Sequence, residues 1–339
     1  MGNIYPLLII LFLFKLNIHN KITIKAEKKF VIKWNRAFAK TFSWRIKDYH
    51  IISRNYWLGK RDFIAPWHPL FYFPEKNNLF NPLYKPIDKE EEFALFFFPE
   101  KSFSLEEKEN LLKKNQLIHY IHLENKSILD LYKSLKSRTR SYINSGLNQF
   151  TFIKVSSYEG LKEYEQSLKN IFIEQYLKFM SPCPPFELLK NLLIENAIDI
   201  YLAIQENKLV GFATLSRDKY ITHILWIFKS DMCKSNSLSL CLYYICIEES
   251  IRRKAKLISL GTTISLRVAK FKEKLSAERG ILFKYKLSSI SSYKKLFALR
   301  SRRKILNLTI MQLILRIFKM IFGLKGFENI SKEIWKRFD

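Results

Sequence analysis

Cysteine is scarce in this chain of 339 residues, and the four present, Cys183, Cys233, Cys241 and Cys246, show no C-x-x-C spacing and no paired histidine cluster. That excludes a zinc site and a disulfide framework, so no metal is expected, and it fits a reducing, cytoplasmic compartment. Long hydrophobic runs are missing as well. The apolar stretch Ile4 to Phe14 falls short of the ~20 residues that cross a bilayer. It has no basic n-region and no small-residue cleavage site, and Pro6 stands where a myristoylation signal wants Ser or Thr. Three readings of it stay open: a packed strand or helix, a weak membrane anchor, or residues upstream of the true start. If it inserts, Lys15, Lys21, Lys25, Lys28 and Lys29 would hold that side at an anionic cytoplasmic surface. Acidic residues are the third shortage. Against 58 Lys and Arg there are 31 Asp and Glu, a formal net charge of +27. Such a balance favours RNA, anionic lipid or cofactor phosphates as partners, or reflects coding bias on a solvated surface.

What is present is apolar. At 48% hydrophobic the chain is not a disordered one, and its length suits two domains. Residues 1–29 read as an apolar and basic leader and 30–126 as a first, aromatic-rich domain. There Pro66, Pro69, Pro74, Pro82, Pro86 and Pro99 punctuate apolar runs such as Phe93 to Phe98, which predicts short strands. Trp34, Trp44, Trp57 and Trp67 are expected in the core and cleft walls, with base stacking as the alternative.

A second, catalytic domain is assigned to 127–290. Ser127 and Asp130 have capping-box spacing, and Ile128, Leu131, Tyr132, Leu135, Thr139, Tyr142 and Ile143 recur at helical period until Gly146, where the helix is expected to stop. A strand at Thr151–Val155 follows. Next come a helix from Leu161 to about Met180, broken by Ser181-Pro182-Cys183-Pro184-Pro185, and a helix from Phe186 to about Asn196. Three β-rich runs, Asp199–Gln205, Lys208–Ser216 and Tyr220–Phe228, read as an antiparallel meander. Gly211 within it marks a bulge, a close backbone approach or a packing constraint. Leu238–Arg253 then reads as a helix, Lys256–Leu260 as a strand, Ile264–Leu275 as a helix and Ile281–Leu287 as a last strand.

This order, carried by Leu135–Leu147, Ile200–Leu215, Leu238–Gly261 and Ala269–Ala277, resembles the GNAT superfamily of N-acetyltransferases and within it the FemAB-like branch. The resemblance covers about half the chain, from Ile128 to Leu287. It implies an α+β fold with a GNAT-like mixed, mainly antiparallel sheet flanked by helices, in two tandem domains. It also implies transfer of an acyl group from acyl-CoA (acetyl-CoA) or of an aminoacyl group from aminoacyl-tRNA. One feature departs from the superfamily pattern: the Q-x-x-G-x-G/A phosphate loop is absent, and no glycine lies between Tyr220 and Leu238.

Candidate site residues follow from both lines of reasoning. Lys272 matches the lysine of the family's F-K motif, which implies that it steadies a substrate carboxylate or the developing oxyanion; a surface lysine between Lys270 and Lys274 is the alternative. His223 and Glu174 are candidate general bases, although a lone strand histidine is more often merely packed. Lys234, Ser235, Asn236 and Ser237 precede a helix whose N-terminus suits the phosphates of a donor, while Ser and Asn are also ordinary N-caps. Arg138, Arg140 and Tyr142 lie on a helix whose other face is basic, suited to substrate phosphate or carboxylate or simply solvated. The tail, 291–339, carries Arg300, Arg302, Arg303 and Lys304 and an apolar helix with a narrow polar stripe, which fits either an interfacial membrane contact or docking on the first domain. The expected function is transfer of an acyl or aminoacyl group to an amine of a cell-envelope precursor or sugar, in the cytoplasm at the inner face of the membrane. The alternative is a non-catalytic basic module for RNA or anionic membrane.

Overall fold

The computed structural model describes residues 22–24, 26–46, 52–56, 59–63, 71–74, 95–99, 116–178, 183–235, 237–263, 266–284 and 312–334. The apolar run at 4–14, Trp57, Trp67, Asn236 and the basic residues at 300–304 lie outside them. The chain forms β1 (Ile22–Ile24), α1 (Lys28–Phe42), β2 (Arg45–Ile46), β3 (Ile52–Tyr56), β4 (Gly59–Phe63), β5 (Phe71–Pro74), β6 (Leu95–Pro99) and β7 (Gln116–His122). Then come α2 (Ile128–Ser134), α3 (Ser137–Gln149), β8 (Thr151–Val155), α4 (Tyr158–Leu161), α5 (Glu165–Lys178), α6 (Phe186–Ile194), β9 (Ile198–Gln205), β10 (Lys208–Ser216) and β11 (Ile221–Lys229). Last are α7 (Ser237–Arg252), β12 (Leu257–Thr262), α8 (Leu266–Glu273), β13 (Glu278–Lys284) and a helix, α9, at 312–334.

Among the described residues, ten strands form one sheet in the order β1-β5-β6-β13-β7-β12-β11-β10-β9-β8, and β2-β3-β4 form a small separate one. Only β5–β6 and β11–β12 run parallel; the other pairs are antiparallel. The fold class is therefore the expected one: α+β, with a mixed, mainly antiparallel sheet between helices. Strand alternation feeds two cores. Ile198, Ile200 and Leu202 of β9 enter one, with α1, α5 and α6; Tyr201 and Ala203 enter the other, with α2, α3 and α7. Both faces of the meander are covered, which is why these strands read as near-continuous apolar runs.

Residues 30–42, where short strands were expected, belong to a helix, Lys28–Phe42. Phe30, Trp34, Phe38 and Phe42 stand four apart, with successive ring centroids 5.9, 5.9 and 6.1 Å apart, so the aromatics form one helical stripe facing α6. Trp34 and Trp44 are core residues as expected. The buried Asp218 carboxylate fixes where α1 starts. It accepts hydrogen bonds from the backbone N–H of Glu27 (2.6 Å), Tyr220 (2.8 Å) and Ile221 (2.6 Å), tying the helix to the β10–β11 turn.

The helix expected to run to Gly146 is two helices. Its capping box forms, with Asp130 N–H donating to Ser127 Oγ (3.1 Å) and Ser127 N–H to Asp130 Oδ2 (3.0 Å). Leu135, however, adopts an extended backbone so that its side chain reaches the core, and α3 restarts at Ser137. Gly146 does not end α3 but lies within it, where α3 meets α7: a Cβ there would sit 2.3 Å from Cys241 Sγ. The glycine serves contact between helices, not termination.

Gly211 fulfils two of the roles expected for it. The β9–β10 register shifts between Leu209 and Gly211, and a Cβ on Gly211 would lie 2.8 Å from the Phe228 carbonyl of the next strand. Gly211→Ala is expected to lower stability by about 1–3 kcal/mol, because the obstacle is backbone that cannot rotate away. A urea midpoint unchanged from wild type would show that β10 and β11 separate freely.

Candidate active site

The site begins where the sheet comes apart. The parallel strands β11 and β12 pair over three residues only, Ile221↔Leu257, Thr222↔Ile258 and His223↔Ser259. Beyond that seam β11 continues along β10 and β12 along β7, leaving an opening between them. Gly261 shapes its edge. At φ +76° it takes a left-handed conformation that other residues adopt at a cost, and it coincides with a register shift between Ser259 and Thr262 against β7.

α8 delivers Lys272 to this edge. The helix packs on β7, buries Ala269, and sets the Phe271 ring 5.7 Å from Tyr243 of α7, which turns the next residue towards the sheet. Lys272 is 2% exposed; its Nζ donates to the Gly261 carbonyl (2.9 Å) and to Thr263 Oγ1 (3.3 Å). Burial holds its pKa down at about 7, so amine and ammonium coexist near neutrality.

Two imidazoles flank it. His223 Nδ1 lies 2.9 Å from Ser259 Oγ, across the last rung of the seam. Its neighbour Thr222 donates to Ser250 Oγ of α7 (2.8 Å), so strand alternation turns His223 to the opposite face. His119 of β7 places Nδ1 2.8 Å from Thr263 Oγ1, the hydroxyl that also receives Lys272, and its Nε2 lies 3.7 Å from Glu273 Oε1. Glu273 in turn accepts from Arg279 Nε at 2.5 Å. Burial, and after it the Lys272 ammonium, lowers the pKa of His119 to about 4 and that of His223 to about 3. Both rings are neutral at physiological pH.

Of the residues expected from sequence, Lys272 and His223 come together at the opening. Glu174 does not join them: it is exposed on α5, whose buried side is formed by Phe172 and Ile173. Ser235 and Ser237 open α7, their hydroxyls 2.7 Å apart, while Lys234 beside them is exposed. Asn236 falls outside the described residues. Arg138 and Tyr142 pair on the exposed face of α3 (Nη2 to Oη 3.4 Å), and the Tyr142 pKa is lowered first by Arg138 and also by Lys274, which follows α8. Arg140 lies over the Tyr132 ring, 5.7 to 5.8 Å being the span of both cation–π contacts on this face. Among the described residues no group of three His, Cys, Asp or Glu is placed to hold a metal ion.

Sequence reasoning missed His119. It sits in Gln116-Leu117-Ile118-His119-Tyr120-Ile121-His122, a β-rich run whose strand character was the available signal, but nothing local pairs it with Thr263, 144 positions away. A second buried constellation was also missed. Asp199 accepts from Arg217 Nε (2.9 Å), from Ser156 Oγ (2.6 Å) and from Arg253, joining β9, the β10–β11 turn and the end of α7. It lies beside the start of the meander rather than at the opening and is satisfied on every side.

No family model matches the chain, and no curated protein does. Solved structures similar to it include FemX, 10% identical over 81% of this chain and 97% of that one at a TM-score of 0.49. They include the L-PGS of Bacillus licheniformis, 15% identical over 61% of this chain and 72% of that one at 0.37. They also include a tandem GNAT protein from the clavulanic acid biosynthesis pathway, 9% identical over 52% and 55% at 0.34. The structures this chain resembles thus include the FemAB-like and tandem GNAT proteins that the sequence pointed to. The likeness concerns fold, and the chemistry rests on the chain's own residues.

Proposed function

We propose that this protein is an N-acyltransferase, moving an acyl or aminoacyl group from acyl-CoA or aminoacyl-tRNA to an amine of a cell-envelope precursor or sugar. The observation that carries this reading is the buried Lys272 amine, with a pKa near 7, at the mouth of the parted strands. Acyl transfer needs a deprotonated acceptor amine and a stabilised oxyanion, and one lysine poised at neutrality supplies both in turn. Its amine form takes a proton from the acceptor ammonium. The freed amine attacks the donor carbonyl carbon, forming the C–N bond. The resulting ammonium faces the oxyanion, and as the intermediate collapses and the C–S or C–O bond breaks, its proton passes to the leaving thiolate or ribose oxygen while the new amide nitrogen gives up its second proton to solvent. His223, neutral and engaged with Ser259, orients the seam in this scheme rather than serving as base.

In this reading Lys234, Ser235, Asn236 and Ser237 receive the donor phosphates at the start of α7, and Arg138, Arg140 and Tyr142 the acceptor. Residues 127–290 carry the catalysis, with α1 and β7 from the preceding 30–126 completing their core and sheet, between the leader 1–29 and the tail 291–339. The test is release of free thiol from a panel of acyl-CoAs, or deacylation of aminoacyl-tRNA, in the presence of amino sugars and cell-envelope precursors. Turnover with either donor is the expected result. Salt-sensitive binding to any polyanion with no turnover on either donor would assign the chain instead to the class of basic binding modules.

A further inference from the structure

α9 is two things in one helix. Its C-terminal end is anchored: Phe327 and Ser331 are fully buried, Ile330 and Ile334 pack on the core of α5 and α6, and Glu328 pairs with Lys169 at 3.1 Å. Gly323, at φ +64°, interrupts the right-handed run ahead of this anchor. Before it, Leu315 is buried, but Leu313, Ile317, Met320 and Ile321 recur at helical spacing on an exposed face, and Leu324, just after Gly323, is exposed as well. Met320 is 81% exposed, Ile321 60% and Leu324 53%, although lone exposed apolar residues, not a contiguous stripe, are what a soluble surface normally carries.

We propose that this face docks the protein on an anionic phospholipid surface. Charge selects that occupant. Within α9 the stretch from Gln312 to Phe327 contains no Asp or Glu and carries Arg316, Lys319 and Lys325, all exposed, and the sequence ahead of it, from Tyr285 to Met311, adds seven Lys and Arg and no Asp or Glu. A second copy of the chain would bring the same cations against each other, and RNA would leave the apolar stripe in water. A bilayer interface takes both, burying the stripe among acyl chains while the cations meet lipid phosphates. No helix among the described residues is long and apolar enough to cross a membrane, which fits a helix lying in the interface. The inference goes beyond acyl transfer and does not depend on it.

Vesicle co-sedimentation of the full chain tests it, using phosphatidylcholine with and without phosphatidylglycerol. Wild type is expected to bind only the anionic vesicles. Met320→Ser, Ile321→Ser and Leu324→Ser combined should weaken binding by at least about tenfold at any salt. Arg316→Gln, Lys319→Gln and Lys325→Gln combined should weaken it by about fivefold per cation at low salt, and less at high salt. Because these side chains are exposed, thermal midpoints should match wild type. Equal binding to both vesicle types, or unchanged binding by the apolar variant, overturns the proposal. So does a wild-type dimer that the apolar variant converts to monomer without any vesicle binding, and so does RNA binding without vesicle binding.

Discussion

Under the proposed function, Lys272→Met is expected to lower acyl transfer by about 10²–10³-fold, the loss that follows when a preorganised charge facing a developing oxyanion is removed. Methionine matches the lysine stem in shape, so the substitution removes the amine and little else from a site that is 2% exposed. Lys272→Arg is not a rescue, since an arginine cannot give up its proton and is held too far from neutrality to act as base. The wild-type rate should rise through about pH 7 as the amine form appears. Stability carries the same signature. With the folded pKa below the unfolded one of about 10.4, the unfolded chain binds more protons between those values, so stability climbs as pH rises above about 7. Lys272→Met should flatten that climb. Wild-type turnover in this variant, once a donor is known, removes Lys272 from the chemistry.

Asp199→Ala costs about 3–5 kcal/mol, the penalty for stranding partners of a buried ion pair. Arg217 and Arg253 converge on this carboxylate, which is 2% exposed. Burial alone would push its pKa up, yet the hydrogen bonds from Arg217 and Ser156 and the charge of Arg253 hold it below the usual carboxylate value. The contribution is therefore complete above the unfolded pKa of about 3.9 and is lost as pH falls through the folded value. Urea unfolding at pH 7 and at a pH well below the unfolded value checks both statements. A variant as stable as wild type at pH 7 would mean that the two arginines reach water without help.

The meander was legible almost to the residue because its turn is chemically explicit. Glu206 and Asn207 both sit at positive φ, 50° and 58°, the two-residue hairpin geometry that joins twisted strands. Lys272 was legible as well, through Phe271 and its match to a family motif, and its burial followed from α8 packing on β7. The break at Leu135 was not, since a core side chain chose the extended backbone at a position whose local pattern favoured helix. The aromatic stripe of α1 was misjudged for a related reason: Phe and Trp suit strands, and only their four-residue spacing argued otherwise. His119 and the Asp199 clamp depend on partners remote in sequence, and no single segment announces such pairs.

The placing of β13 between β6 and β7 bears on how the chain assembles. Residues 278–284 join strands at 95–99 and 116–122, so the central part of the β-structure cannot close until nearly three hundred residues have been synthesised. Until then β6, beside β5, and β7, beside β12, each leave one edge open, while the hairpins between Ile198 and Lys229 can form from neighbours alone. Such late, distant pairing is slow, and it leaves the waiting edges open to association with other chains until it occurs.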